Sequence, residues 1–389
     1  MKVASVATIA ADGQRGFWIR LAIGVAVLAA GLAGGALVME HEGHIVTGMN
    51  NEIVWGMPHV FAIFLIVAAS GVLNIASMAS VFGQSHYKPW SKLSGLLSLA
   101  MLAGGLMVLM LDLGRPERMV VAATHYNFKS VFAWNVFLYS GMFAAVAVYL
   151  WMQLEKRMTR HTKPAGVAAL VWRFVLTTGT GAIFAFLVAR QAYASAVLPP
   201  LFIAMSLAWG MAVFVLVQAA YRGEVAGELL RRMKNLLGVL IALGLYFTVV
   251  YHLTNLYFAR QAEFERFILL DGGIYPLLLW AGYVLAGSIV PMILLWRPSA
   301  SARALQAAAA LTVIGAFAFL YVFIIGGQAF PLEIFPGYEV ASSFRDGAVS
   351  AYAPSLPELL LGFAGVAAAF VITLVGAQVL DILPAESTS

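Results

Sequence analysis

The sequence predicts an all-α polytopic membrane protein of about ten transmembrane helices with both termini cytoplasmic, and three observations carry that expectation. Of 389 residues, 62% are hydrophobic and only 11% charged, at a mean hydropathy of +0.89. A water-soluble globule of that make-up would lack the polar surface to cover itself. The apolar runs are also continuous for roughly 20 residues, the length that crosses about 30 Å of hydrocarbon at 1.5 Å per residue, whereas barrel strands alternate over about ten. Finally, Lys and Arg are unevenly placed. With the N-terminus inside, 15 fall in cytoplasmic segments, 7 on the other side, and Arg173 alone lies within a span. That excess orients the chain. It also explains the net charge of +5 without a basic patch for nucleic acid, which is excluded as a partner.

The spans are expected near 17–39, 57–83, 93–112, 131–153, 167–189, 199–221, 236–258, 273–296, 306–326 and 357–380. The first lacks the basic n-region and small-residue cleavage site of a secretory peptide, so it is expected to stay. Its Gly31 and Gly35, like Gly179 and Gly181 of the fifth, suit close helix packing. Trp55, Trp90, Trp134, Trp151, Trp280 and Trp296 mark span ends, where an aromatic belt belongs. Short loops make the whole chain, 1–389, one integral membrane domain, with a core near 48–330 and flanking helices near 17–39 and 357–380. Three longer segments, 40–56, 112–130 and 327–356, share the outer side, which points to a docking face there. The last contains Pro336, Gly337 and Arg345.

The chain has no cysteine, which rules out disulfides, thiolate zinc sites and a protein-ligated iron–sulfur cluster. No metal site is expected, and any iron–sulfur centre must sit in a partner. Ionisable groups inside spans are costly and mark pathways or sites. Sorted by depth, His59, Asp112, Arg115, Trp134, Asn135, Tyr139, His252 and Asn255 lie near the outer face, with Arg190, Gln191, Tyr193 and Tyr275 at the same level. A quinone head group needs donors for its carbonyl oxygens, a proton acceptor and an apolar slot, and this set supplies them. His59 and His252, both inside their spans, are the catalytic candidates. The same two imidazoles could ligate a haem b, which is not favoured because the other five histidines fall in loops. Deeper, Ser70, Asn74 and Ser77 share one helix face, as do Arg173, Thr177 and Thr180. Two roles stay open for these tracks: a proton path to the cytoplasm, or ordinary polar helix packing.

The run Asp112-Leu113-Gly114-Arg115-Pro116 follows a Gly-rich span and precedes Ser130-Val131-Phe132-Ala133-Trp134-Asn135. With it, the chain resembles the NrfD/polysulfide-reductase membrane-subunit family. The segment Gly48-Met49-Asn50-Asn51-Glu52-Ile53-Val54-Trp55-Gly56-Met57-Pro58-His59, continuing to Gly71-Val72-Leu73-Asn74 and Val81-Phe82-Gly83, is similar to the DsrP branch. DsrP is the quinone-interacting membrane subunit of the sulfite-reductase-associated Dsr complex, and ten rather than eight spans fit that branch. The likeness is strongest over roughly 48–140.

The resemblance implies a multi-pass subunit of the bacterial cytoplasmic (inner) membrane, acting in respiratory or sulfur metabolism. Such a subunit exchanges electrons between menaquinone or ubiquinone, as substrate, and a periplasmic ferredoxin-like iron–sulfur subunit. Other membrane and cytochrome subunits of a Dsr-type complex would complete the assembly, and the chain would be active only with them. It places His59, Asp112, Arg115 and Trp134 around the quinone site or its docking surface, the latter comprising Asp112, Arg115 and Arg118. His252 enters from its depth alone. Two other function classes remain: a structural anchor for a redox enzyme, and a proton or ion transporter. Transporters usually show matching broken helices in two halves, and Pro291 in the eighth span has no counterpart in the first half.

Overall fold

The computed structural model describes residues 3–222, 225–332, 347–380 and 382–383. Pro336, Gly337 and Arg345 of the sequence expectations lie outside them. Among the described residues ten helices are long and apolar enough to span a membrane: α1 Arg15–Glu42, α2 Met57–Ser80, α3 Ser85–Leu111, α4 Val131–Leu154, α5 Lys156–Ala185, α6 Leu198–Tyr221, α7 Gly227–Tyr257, α8 Ile274–Trp296, α9 Ala302–Ala329 and α10 Leu356–Val379. The expected spans are all present. Helices α3, α5 and α7 begin well before their apolar stretches, because backbone hydrogen bonding continues past the hydrocarbon edge into polar sequence.

The helices form two antiparallel bundles and a flanking pair. Helices α2 to α5 pack in a ring, α6 to α9 in another, and α6 lies against both α2 and α5. The flanking α1 packs on α10, which in turn lies along α2 and α3. Helix α2 is buried along its whole apolar window, while α1 is mostly exposed, as a helix bathed in lipid should be. The seam between the bundles is set by glycine: a Cβ on Gly71 of α2 would fall 1.6 Å from the Ser206 carbonyl oxygen of α6, so only hydrogen allows this approach. Two residues later α2 bends at Leu73, whose ψ is −1°.

Helix entries follow local chemistry. Pro58 sits in the first turn of α2, where a missing N–H costs nothing. Ser355 caps α10 in a reciprocal box with Glu358. In α8 the helix winds wide, as a π-helix, over Leu278–Ile289 immediately before Pro291. Pro291 lacks the N–H that a regular α-helical register would use there.

Candidate functional site

The outer-loop end of the first bundle gathers three segments that are remote in sequence. Helix α1 ends at Gly43, whose φ of 77° turns the chain into the short helix His44–Val46. That turn aims His44 at the end of α3, where its Nε2 lies 3.0 Å from the Asp112 carbonyl oxygen. A carbonyl only accepts, so Nε2 carries the proton. Asp112 closes α3, with its N–H bonded to the Val108 oxygen. Gly114, at φ 69°, then reverses the chain, and Pro116 opens a short helix, Pro116–Arg118. The family-like run after the third span is thus a helix stop followed by a tight turn.

Its aspartate points inward. The Asp112 side chain is 1% exposed, with Oδ2 2.8 Å from His59 Nδ1 and Oδ1 3.9 Å from His44 Nε2. The His59 contact is close, but its atoms are not aligned for a hydrogen bond. Burial pushes the Asp112 carboxyl up, yet the two imidazoles together pull it below its ordinary 3.8. In return the Asp112 carboxylate raises His44 above 6.5, against the opposing effect of burial.

Trp55 covers this pair, stacked on the His59 ring at 5.9 Å and 28°. Its backbone is held by one side chain of α9. Gln328 Oε1 accepts from the N–H groups of Val54 and Trp55, and Nε2 donates to the carbonyls of Trp55 and Ile324. Arg190 bonds the carbonyl oxygens of Gln328 and Glu52, each at 2.7 Å. From α10, the buried Glu358 accepts from Gly48 N–H, Ser355 N–H and the Tyr352 hydroxyl, while the Met57 N–H donates to that hydroxyl. The loop before α2 is therefore tied to both the second bundle and the flanking helix.

His252 and Asn255 belong to a different cluster. His252 Nδ1 lies 2.6 Å from Oε2 of Glu265, and Asn255 Nδ2 donates to Oε1 at 2.7 Å. Glu265 is 0% exposed and comes from the short helix Ala259–Arg266 after α7. The cavity beside His252 has a volume of about 10 Å³, room for one water at most. That volume is smaller than a quinone ring. Depth alone grouped His252 and Asn255 with His59; the fold puts them in separate bundles, since equal depth does not imply one azimuth. A row of rings connects the two: Trp55 to Phe184 at 5.6 Å, Phe184 to Phe323 at 4.9 Å, Phe323 to Tyr251 at 6.3 Å and Tyr251 to His252 at 5.0 Å.

Other expected residues divide. Trp134 is 48% exposed, donates to the Phe128 carbonyl and packs in a surface group with Phe128 and Phe137. It does not line the His59 cluster. Asn135 and Tyr139 are buried on α4; Asn135 bonds the Val131 carbonyl of its own helix, and Tyr139 meets Thr180. Phe132, one turn before Asn135, reaches Trp55 at 6.3 Å. Arg115 and Arg118 are exposed and open to a partner. Asp112 is not: it is buried beneath the turn that carries them.

The two deep polar tracks meet. Arg173 Nη1 donates to the Ser70 carbonyl and to Asn74 Oδ1, both at 3.0 Å, and the Ser70 hydroxyl bonds back to the Arg173 carbonyl. Arg173 is 3% exposed and makes no ion pair among the described residues. Thr177 and Thr180 bond carbonyls of their own helix, the usual habit of hydroxyls in lipid-embedded helices. Ser77 is buried on the same side of α2. Below it, Ser80 and the Tyr149 hydroxyl lie 2.6 Å apart.

Sequence inspection missed His44, Glu265, Gln328 and Glu358 as site members. Gln261, Phe264, Glu265 and Ile268 are all buried at helical spacing, a stripe that was visible but lay in a charged stretch. Glu358 showed locally only as the partner of Ser355 in a helix-capping pattern, and Gln328 had no such signal, because the loop each one holds lies hundreds of residues away. Among the described residues no group of three His, Asp or Glu side chains could hold a metal.

Residues 45–332 match the family described as polysulphide reductase, NrfD; α1 and α10 lie outside that stretch. The chain is 29% identical to the Hdr-like menaquinol oxidoreductase integral membrane subunit of Archaeoglobus fulgidus, over 92% of this chain and 93% of that protein. It is 28% identical to a dimethyl sulfoxide reductase membrane subunit of Halobacterium salinarum, over 84% of this chain and 81% of that protein. With a polypeptide of the Wolinella succinogenes polysulfide reductase it shares 25% identity over 63% of this chain and 83% of the relative.

Proposed function

The chain belongs to the polysulphide reductase NrfD family, and from that premise we propose that it is the quinone-reactive membrane subunit of a redox complex, with its quinone site at His59 and Asp112. The observation that carries this is the buried Asp112 carboxylate 2.8 Å from His59 Nδ1, under an aromatic ring that can also flank a quinone. The name of the Archaeoglobus relative, a menaquinol oxidoreductase subunit, supports quinol as the substrate.

Oxidation of a quinol releases two electrons and two protons. His59, oriented through Nδ1, presents Nε2 to a quinol hydroxyl and accepts its proton, while Asp112 stabilises the imidazolium that forms. Trp55 and Phe132 provide apolar surface for the ring. The electrons pass to an iron–sulfur subunit docked over Arg115 and Arg118 on the periplasmic face, with the termini in the cytoplasm. The sequence likeness to the DsrP branch makes a sulfur-metabolising complex of the cytoplasmic membrane the setting. Ser70, Asn74, Ser77, Arg173, Thr177 and Thr180 form the proton route between this site and the cytoplasm. His252 and Glu265 act apart from the quinone, as a second proton-holding pair.

Inhibitor-sensitive quinol oxidation by the purified complex tests the proposal. His59→Ala should abolish most turnover. If turnover and quinone affinity both survived that change, the site would be elsewhere.

A further inference from the structure

The flanking pair meets the core in two different ways. Towards the outer-loop end the contact is tight: a Cβ on Gly362 of α10 would lie 2.2 Å from the Phe61 ring, and one on Gly104 of α3 2.3 Å from the Gly365 carbonyl. Beyond Gly365, towards Val379 of α10, a groove of about 400 Å³ separates α10 from the core. Phe64, Met101, Val217, Phe317, Ala369 and Leu374 contribute to its walls. Between Val213 and Tyr221 on α6 it runs for about 12 Å along the helix.

Among the described residues the groove is lined by apolar side chains except at one end. There Arg20 of α1, Tyr221 of α6 and Thr373 of α10 come together. The Tyr221 hydroxyl donates to the Thr373 carbonyl and lies close enough to Arg20 to feel its charge. Arg20 itself is exposed and, among the described residues, bonds its own helix, Nε to the Gly16 carbonyl at 3.1 Å. It therefore offers a cation at the mouth of an apolar slot that no water would fill within a bilayer.

We propose that the groove holds one acyl chain of an anionic phospholipid, whose phosphate sits on Arg20 beside the Tyr221 hydroxyl. The acyl tail fills a slot too apolar for water, and the phosphate supplies the charge that Arg20 lacks. The lipid then wedges the flanking pair α1 and α10 to the family-matched core. This site is separate from the quinone cluster, and either assignment can fail without the other.

Native mass spectrometry of the full-length protein, delipidated and titrated with phosphatidylglycerol or phosphatidylcholine of matched tails, decides it. One phosphatidylglycerol should bind preferentially. Arg20→Gln should weaken that binding about fivefold and leave phosphatidylcholine unchanged, whereas Val217→Trp, which fills the slot, should weaken both. A photoactivatable acyl tail on phosphatidylglycerol should label the 366–374 stretch of α10 in the unaltered protein, a readout that needs no variant to fold. Equal affinity for the two lipids, no effect of Arg20→Gln, labelling elsewhere, or a quinone recovered from the groove would each overturn the assignment.

Discussion

The two histidine–carboxylate pairs of this protein use the same chemical groups and are built in opposite ways. His252, Asn255 and Glu265 lie within 13 residues of one another, on one helix and the short helix that follows it. Their oxygens are fully enclosed, and the adjoining cavity is the size of a water molecule. His44, His59 and Asp112 come from three helix ends, and the Asp112–His44 contact spans 68 residues. That pair stands beside an exposed turn and beneath a stacked indole. Exposure does not separate them, the His59 and His252 side chains being 16% and 14% exposed; what differs is that one pair is fixed within a helix and its neighbour, and the other only when three helix ends meet. Similar depth in the membrane concealed this difference.

Asp112→Asn should break the comparison hardest. It keeps the shape of the side chain but removes the charge that orients and stabilises His59, so quinol-dependent turnover should fall about 100-fold or more. Steady-state kinetics of the complex would show this as a loss in kcat. Glu265→Gln should cost far less turnover, and equal losses in the two variants would mean that the pairs form one functional unit.

The second cluster should instead report on stability. Glu265→Ala strands His252 and Asn255 without their buried partner, which should cost about 3 kcal/mol, read as a lowered unfolding midpoint in detergent. Activity per folded molecule should be largely retained. Between these extremes, Arg173→Gln should slow turnover about tenfold with quinone affinity unchanged, since it alters the interior hydrogen bonds to Ser70 and Asn74 and not the site itself. Proton uptake followed in proteoliposomes would check that.

The smallest effect belongs to His44. Because its folded value is raised above 6.5, its attraction for Asp112 is complete below pH 6.5 and fades as pH climbs through the raised value. Asp112, held below 3.8, gives up its share only in acid, as pH falls through the lowered value. His44→Gln should therefore lower the unfolding midpoint at pH 6, and the gap from the parent should close in alkali. A gap that grew with pH would contradict the pairing.

Much of the architecture was legible in advance. Ten apolar runs of spanning length leave the chain little choice, because in hydrocarbon every backbone group must be bonded within its own helix. The helix stop at Asp112-Leu113-Gly114 and the inward-facing Ser70, Asn74 and Arg173 were likewise readable, since both follow from local periodicity and turn chemistry. Asp112 was misjudged in one respect: a charge at a helix end looks like surface, and only its two histidine partners explain its burial. Trp134 lies apart from that cluster, on the surface beside Phe128, because an indole near a polar cluster need not face it.

What the amino-acid order settles here is each helix, its depth and the polar residues it carries, all consequences of interactions within a few turns. Which faces meet is another matter. His59 joins Asp112 while His252 turns to Glu265, and Gln328 reaches across from the second bundle to hold Trp55, because side chains of similar chemistry can pair in many ways at one depth. Close approaches such as Gly71 against Ser206 select one azimuth for each helix from that set. The charged run after the third span then becomes the buried end of a pair, and the groove under α10 opens between the close approaches of Gly365 and Gly376.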